Sequence, residues 1–154
     1  NEIDLLIGNS IIKYDEFSRK YQNGKNTEIW KGARFIHQSC FIKTDYQKKN
    51  LYNETNTISA DFEFFFKAIE INKINTQNLD KLVSIFRAGG LSDNRRVEAL
   101  ISNFRLVRKV FRFSFNVIFF YSYIIFKELF KSLVKIILPK NLVKSIQKYI
   151  HEDK

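Results

Sequence analysis

Cysteine, proline and tryptophan occur once each in the 154 residues, and methionine does not occur at all. The single thiol, Cys40, excludes an internal disulfide and any cysteine-built metal cluster. It sits among apolar neighbours and reads as a buried small residue, in keeping with a reducing compartment. No secretory signal pattern is read at the first residues. The lack of even a starting methionine leads to the expectation of a piece of a longer protein. One proline and five glycines leave little room for long linkers. Histidine is scarce too, with His37 and His151 only. Zinc-ligand spacing, a P-loop, a GxGxxG and a Ser-His-Asp order are all missing.

Aromatic residues, by contrast, are plentiful: 16 Phe and 7 Tyr. Charge is uneven. Residues 95–154 hold 13 Lys and Arg against 4 Asp and Glu, a net of +9, whereas the first 94 residues hold 13 against 12. A nearly neutral front half therefore precedes a basic back half, and such asymmetry points to an acidic partner surface. The length suits one domain with a real core.

Along the chain, "LLIGNSII" at 5–12 reads as a buried strand running into a turn or bulge at Gly8-Asn9. Asn23-Gly24 is a hairpin signal. "TEIWKGARFIHQSCFIK" alternates loosely and predicts a strand or two. "TDYQKKNLY" predicts a short helix with Thr44 as N-cap, and "NETNTIS" a loop. Ser59 is expected to cap a helix whose first turn holds Asp61 and Glu63, where the helix dipole favours acids. Phe62, Phe65, Phe66 and Ile69 recur at helical spacing and predict a core-facing stripe. "KLVSIFRAGG" reads as a strand closed by Gly89-Gly90, followed by a loop "LSDNRR". From about Asp93 the pattern is helical, with Val97, Leu100, Ile101, Phe104, Val107 and Phe111 on one face.

"FSFNVIFFYSYIIF" at 113–126 is uncharged, but as a helix it would reach only about 21 Å, short of the roughly 30 Å hydrocarbon core. Beyond it, Lys127, Lys131 and Lys135 form one stripe, and Phe126, Leu129, Phe130, Leu133 and Ile137 another. After Pro139 the pattern restarts, with Lys144 and Lys148 opposite Leu142, Val143, Ile146 and Ile150. This is the design of a helix lying in a membrane interface. A bundle with solvated lysines is the plainer reading.

Taken singly, His37 is a structural histidine, Asp61 a helix-start acid and Gly89-Gly90 a turn. Periodicity supports only an α/β domain with a basic helical tail. In order, however, "IDLLIGNSII", "FIHQSCFIK", "NETNTISADFEFFFKAI" and "FRAGGLS" resemble the second half of the catalytic domain of bacterial family 2 glycosyltransferases, over roughly residues 3–100. Ile7 and Asn9 replace the Tyr and Asp of the family's Tyr-Gly-Asp strand. The resemblance implies a partial A-type, Rossmann-like glycosyltransferase fold over residues 1–93, with a basic helical tail over 94–154.

It implies that Asp61 matches the proposed general base of inverting members, which takes the proton of the attacking acceptor hydroxyl. His37 and Gln38 match the family's His-Gln pair, lining the acceptor or diphosphate side of the cleft. Glu63 matches a second, weaker acid. Gly89, Gly90 and Ser92 match the loop that closes the cleft, where small residues let backbone N–H groups approach phosphate or sugar.

The partners so implied are a nucleotide-sugar donor, a glycan or lipid-linked acceptor, and an anionic membrane at the 95–154 tail, with no nucleic acid. The expected location is the cytoplasmic side of the plasma membrane, peripheral to it. The family's nucleotide-binding half and its Asp-x-Asp, which holds Mg or Mn on the diphosphate, have no counterpart in this sequence. The metal is expected for the intact enzyme with ligands mostly outside this chain, none being assigned within it, and the isolated chain is expected to be inactive. The competing expectation is a non-enzymatic basic module that binds anionic membrane or nucleic acid.

Overall fold

The computed structural model describes residues 2–14, 17–23 and 28–137. Four strands form one mixed sheet around β1 (Leu5–Lys13). β2 (Ser18–Tyr21) and β3 (Cys40–Ile42) both pair antiparallel with β1, at residues 10–13 and 5–7 respectively. β4 (Thr76–Arg87) runs parallel to β1 along its other edge. Flanked on both edges, β1 is the sheet's centre, and Leu5 and Ile7 are fully buried. That explains the consecutive apolar residues Leu5, Leu6 and Ile7 at its start.

The expected irregularity falls at Gly8-Asn9. Gly8 faces Leu79, Asn9 faces Leu82 and Ser10 faces Ser84, so β4 holds extra residues at two points. Asn9 uses the gap: its Nδ2 donates to Asp80 Oδ1 at 2.9 Å and its Oδ1 accepts from Asn23 N at 3.1 Å. The β1–β2 hairpin turns at Tyr14–Phe17, whose rings stack at 4.5 Å. The hairpin signal Asn23-Gly24 follows β2. Gly24 lies outside the described residues.

Between β2 and β4 the chain is mostly non-strand. Residues 29–31 and 37–39 are single 3-10 turns, and β3 has three residues. α1 (Thr44–Lys49) is the expected short helix, although Thr44 is its first residue and Lys43 its N-cap. α2 (Ala60–Phe66) runs on into a π-helical turn, Lys67–Ile71. Phe64, Phe65 and Phe66 are all buried, so α2 is enclosed almost all round. Phe35 and Phe65 meet edge to face at 5.2 Å, and Tyr52 stacks on Phe64 at 4.5 Å.

"LSDN", expected as loop, is a helical turn, α3 (Leu91–Asn94). α4 (Arg96–Val110) and α5 (Phe115–Ile137) follow as an antiparallel-reading pair joined by four residues. Val107, Val117 and Tyr121 belong to the same hydrophobic cluster as Leu5, Ile7 and Phe66. One core therefore draws on both sides of the 93/94 boundary. Among the described residues no helix is long and apolar enough to cross a membrane. The stripe expected after Pro139 lies outside the described residues.

Candidate functional site

Ser59 holds the N-cap position of α2, but its hydroxyl does not cap the helix. It donates to the Ala99 carbonyl at 3.3 Å and so ties the head of α2 to α4. The Ser59 N–H donates instead to Asn56 Oδ1 at 3.1 Å. This pinned helix head fixes the two acids of the first turn in different surroundings.

Glu63 turns inward, with its side chain only 9% exposed. Lys67 Nζ reaches it at 2.7 Å, Asn56 Nδ2 at 2.8 Å and Asn53 Nδ2 at 3.1 Å. Burial works against its charge, but the bonds from Lys67, Asn56 and Asn53 outweigh it and hold the carboxyl below its ordinary range. Glu63 is thus saturated by the protein's own donors.

Asp61 turns outward and is half exposed, with His37 Nε2 3.4 Å from its Oδ2. That contact becomes an ion pair when the imidazole is protonated. Two residues 24 positions apart are brought together because the 37–39 turn packs beside the head of α2. Tyr52 stands close enough for the Asp61 carboxylate to act on it. Burial first, and then that negative charge, raise the phenol's pKa, so the hydroxyl keeps its proton.

Asp61 also lines a cavity of about 370 Å³, within the size range of small-molecule sites. The cavity lies between residues 31–33, the head of α2, the first turns of α4 and the middle of α5. Its charged lining is Lys31, Asp61, Arg96, Lys127 and Glu128. Lys31 is paired with Glu28 at 2.8 Å, and Glu128 with Lys131 at 2.8 Å. Arg96 and Lys127 have no ion-pair partner among the described residues, so two unpaired cations share the cavity with Asp61 and with the Lys131-paired Glu128. Tyr121 closes its floor; its hydroxyl donates to the Trp30 carbonyl at 2.7 Å, and burial raises its pKa.

Of the residues singled out in the sequence, Asp61 lines this cavity and His37 stands against Asp61. Gln38 is exposed on the same 3-10 turn as His37. Gly89 and Gly90 are exposed and lie outside the cavity wall. Their role is local: Gly89 adopts a φ of 95°, its N–H donates to Asp93 Oδ2 at 3.0 Å, and Gly90 O accepts from Asp93 and Asn94. Ser92 lies within the helical turn that follows. Cys40 is half-buried, not fully buried as expected, and burial pushes its thiol up to about 12, which leaves it unreactive. Sequence reasoning missed Tyr52, Arg96 and Lys127, which carry no motif and converge only through packing. Among the described residues no three His, Cys, Asp or Glu side chains are grouped to hold a metal ion.

The fold and site together define a mixed α/β protein with an acid–imidazole pair at the edge of a cationic cavity. No protein-family model, curated protein or solved structure matches the chain.

Proposed function

We propose that the chain is the acceptor-side half of a nucleotide-sugar-dependent glycosyltransferase of the family 2 type. It would transfer a sugar to a glycan or lipid-linked acceptor at the inner face of a membrane. The observation that carries the reading is the meeting of Asp61 and His37, 3.4 Å apart, beside an open cavity.

In this reading an acceptor hydroxyl enters the cavity and donates its hydrogen bond to Asp61. The carboxylate takes the proton as the hydroxyl oxygen attacks the anomeric carbon of the donor, and the nucleoside diphosphate leaves with the bonding electrons. His37 positions the carboxylate. Arg96 and Lys127 attract anionic parts of the substrates. A metal on the diphosphate would neutralise the leaving group. Among the described residues no three His, Cys, Asp or Glu side chains are grouped to hold one. With no Asp-x-Asp in the sequence, the donor site requires residues beyond these 154.

Transfer of a labelled sugar tests the proposal. The isolated chain is expected to be inactive, and activity should appear once a nucleotide-binding half is supplied. In that complete enzyme Asp61→Asn should lower turnover on the order of a hundred- to ten-thousand-fold, with nucleotide-sugar binding near wild type. Unchanged turnover would remove Asp61 as base, and activity of the isolated chain would refute the half-site. The competing module reading assigns Asp61 and His37 no role, so it requires that no transfer appear when a nucleotide-binding half is supplied.

A further inference from the structure

We propose that the outward face of α5, together with the basic end of α4, is a docking surface for an anionic lipid bilayer, on which α5 lies parallel to the membrane plane. The inference rests on the membrane-side acceptor proposed above and names the surface that meets that membrane.

Phe115, Phe119, Phe126, Phe130, Leu133 and Ile137 are 86, 77, 68, 57, 53 and 70% exposed. Their spacing of three, four and seven residues keeps them on one side of the helix. The stripe is about 33 Å long at 1.5 Å per residue. With Phe113 at 91%, the five rings present on the order of 700 Å² of aromatic surface, more than an ordinary monomer leaves contiguous. Val117 and Tyr121, on the opposite side, are 2 and 1% exposed. The described charged side chains of α5, namely Lys127, Glu128 and Lys131, line cavities shared with α4. The helix thus carries two apolar sides, one packed on the core at Val117, Phe120, Tyr121 and Ile124 and one of rings open to solvent, with its described charges lying between them on the side of α4.

The occupant follows from charge. Exposed Arg105, Arg108 and Lys109 near the end of α4, and Arg112 in the joint after it, have no ion-pair partner among the described residues. Arg112 leads directly into Phe113 and Phe115, so the cations end where the rings begin. A second copy would bring the same four cations and a net charge of +10 against its twin, which opposes self-association. Stacking on nucleic acid needs cations among the rings, and the stripe of α5 has none. An anionic bilayer satisfies both features, with headgroups meeting the cations and acyl chains meeting the rings. No described helix can span it, so α5 lies in the plane. The cavity beside Asp61 is on the far side of α5 and would sit about one helix diameter, 10–12 Å, from the headgroups.

The test uses the full chain and sucrose-loaded vesicles of phosphatidylcholine with or without phosphatidylglycerol, read by cosedimentation. Binding is expected only with phosphatidylglycerol, and it should fall at least tenfold in about 1 M salt, where screening acts within about 3 Å. Arg108→Gln with Arg112→Gln should weaken it roughly twenty-five-fold, at about fivefold per charge. Phe119→Ala with Phe126→Ala should weaken it at least tenfold with an unchanged circular dichroism spectrum, because both rings are already exposed. Three outcomes overturn the proposal: equal binding to both vesicle types, tighter binding to a single-stranded oligonucleotide, or a dimer in sedimentation velocity that the Phe substitutions dissolve. Sugar transfer to a water-soluble acceptor by the completed enzyme reads the catalytic proposal separately, so either can fail without the other.

Discussion

Asp61 and Glu63 are two residues apart on one helix and meet opposite fates. At 100° per residue they point to different sides of α2, one to the cavity and one to the packed loop 53–56. The cost of removing Glu63 follows from its partners. Glu63→Ala strands two amides and one ammonium, and an expected loss of about 1–3 kcal/mol is measurable by urea denaturation. Its pH dependence has a definite sign. The folded pKa lies below the ordinary 4.5, so the stabilisation is present above that value and disappears as pH falls through the folded one. Wild type should therefore lose stability below about pH 4.5 more steeply than Glu63→Gln does.

Gly8 is decided by space. A Cβ there would lie 2.2 Å from Val83 Cγ2, and a β-branched neighbour has no free rotamer to yield. Gly8→Ala should cost about 1–3 kcal/mol by overpacking, and Val83→Ala in the same chain should restore most of it in thermal melts. Gly89 and Gly90 have open space instead, which suits the local turn they make. The sequence marked all three glycines, but only coordinates separate a steric need from a conformational one.

Among the strands, β4 is the long one with exposed apolar side chains. It has twelve residues and pairs only with β1 among the described strands. Leu82 and Ile85 are 52 and 61% exposed. Long apolar edges template further pairing. Leu82→Lys with Ile85→Lys should lower concentration-dependent light scattering with little change in melting temperature. β1, the second half of β4, α2 and α4 were legible because each carries an apolar run or a helical period. The β1–β2 hairpin was not legible, because residues 14–17 carry no Asn-Gly or Asp-Gly turn signal. The actual turn is closed by the Tyr14–Phe17 ring stack and the Tyr14 N–H bond to Phe17 O at 2.8 Å. The 29–42 segment carried apolar alternation yet forms two 3-10 turns and a three-residue strand. Tertiary packing of Ile29, Trp30 and Phe35 against α2 and α5 overrode its propensity.

For the whole molecule, the α/β class and the helical back half were legible from period and charge, whereas the integration of that back half was not. A basic, aromatic sequence reads as an appendage, yet Val107, Val117 and Tyr121 complete the sheet's own core. The candidate site was half legible. Its acid and imidazole were found by order along the chain. Its cations come from α4 and α5, and no spacing in the sequence relates Arg96 or Lys127 to Asp61.

The hydrogen bond from the Tyr121 hydroxyl to the Trp30 carbonyl makes the outer helix and the inner wall a single lever. Tyr121→Phe would leave the Trp30 carbonyl without that donor and should loosen the stretch that continues into Lys31, Gly32 and Ala33, the wall of the hollow beside Asp61. Substrate affinity, not folding alone, is where such a loss would be read.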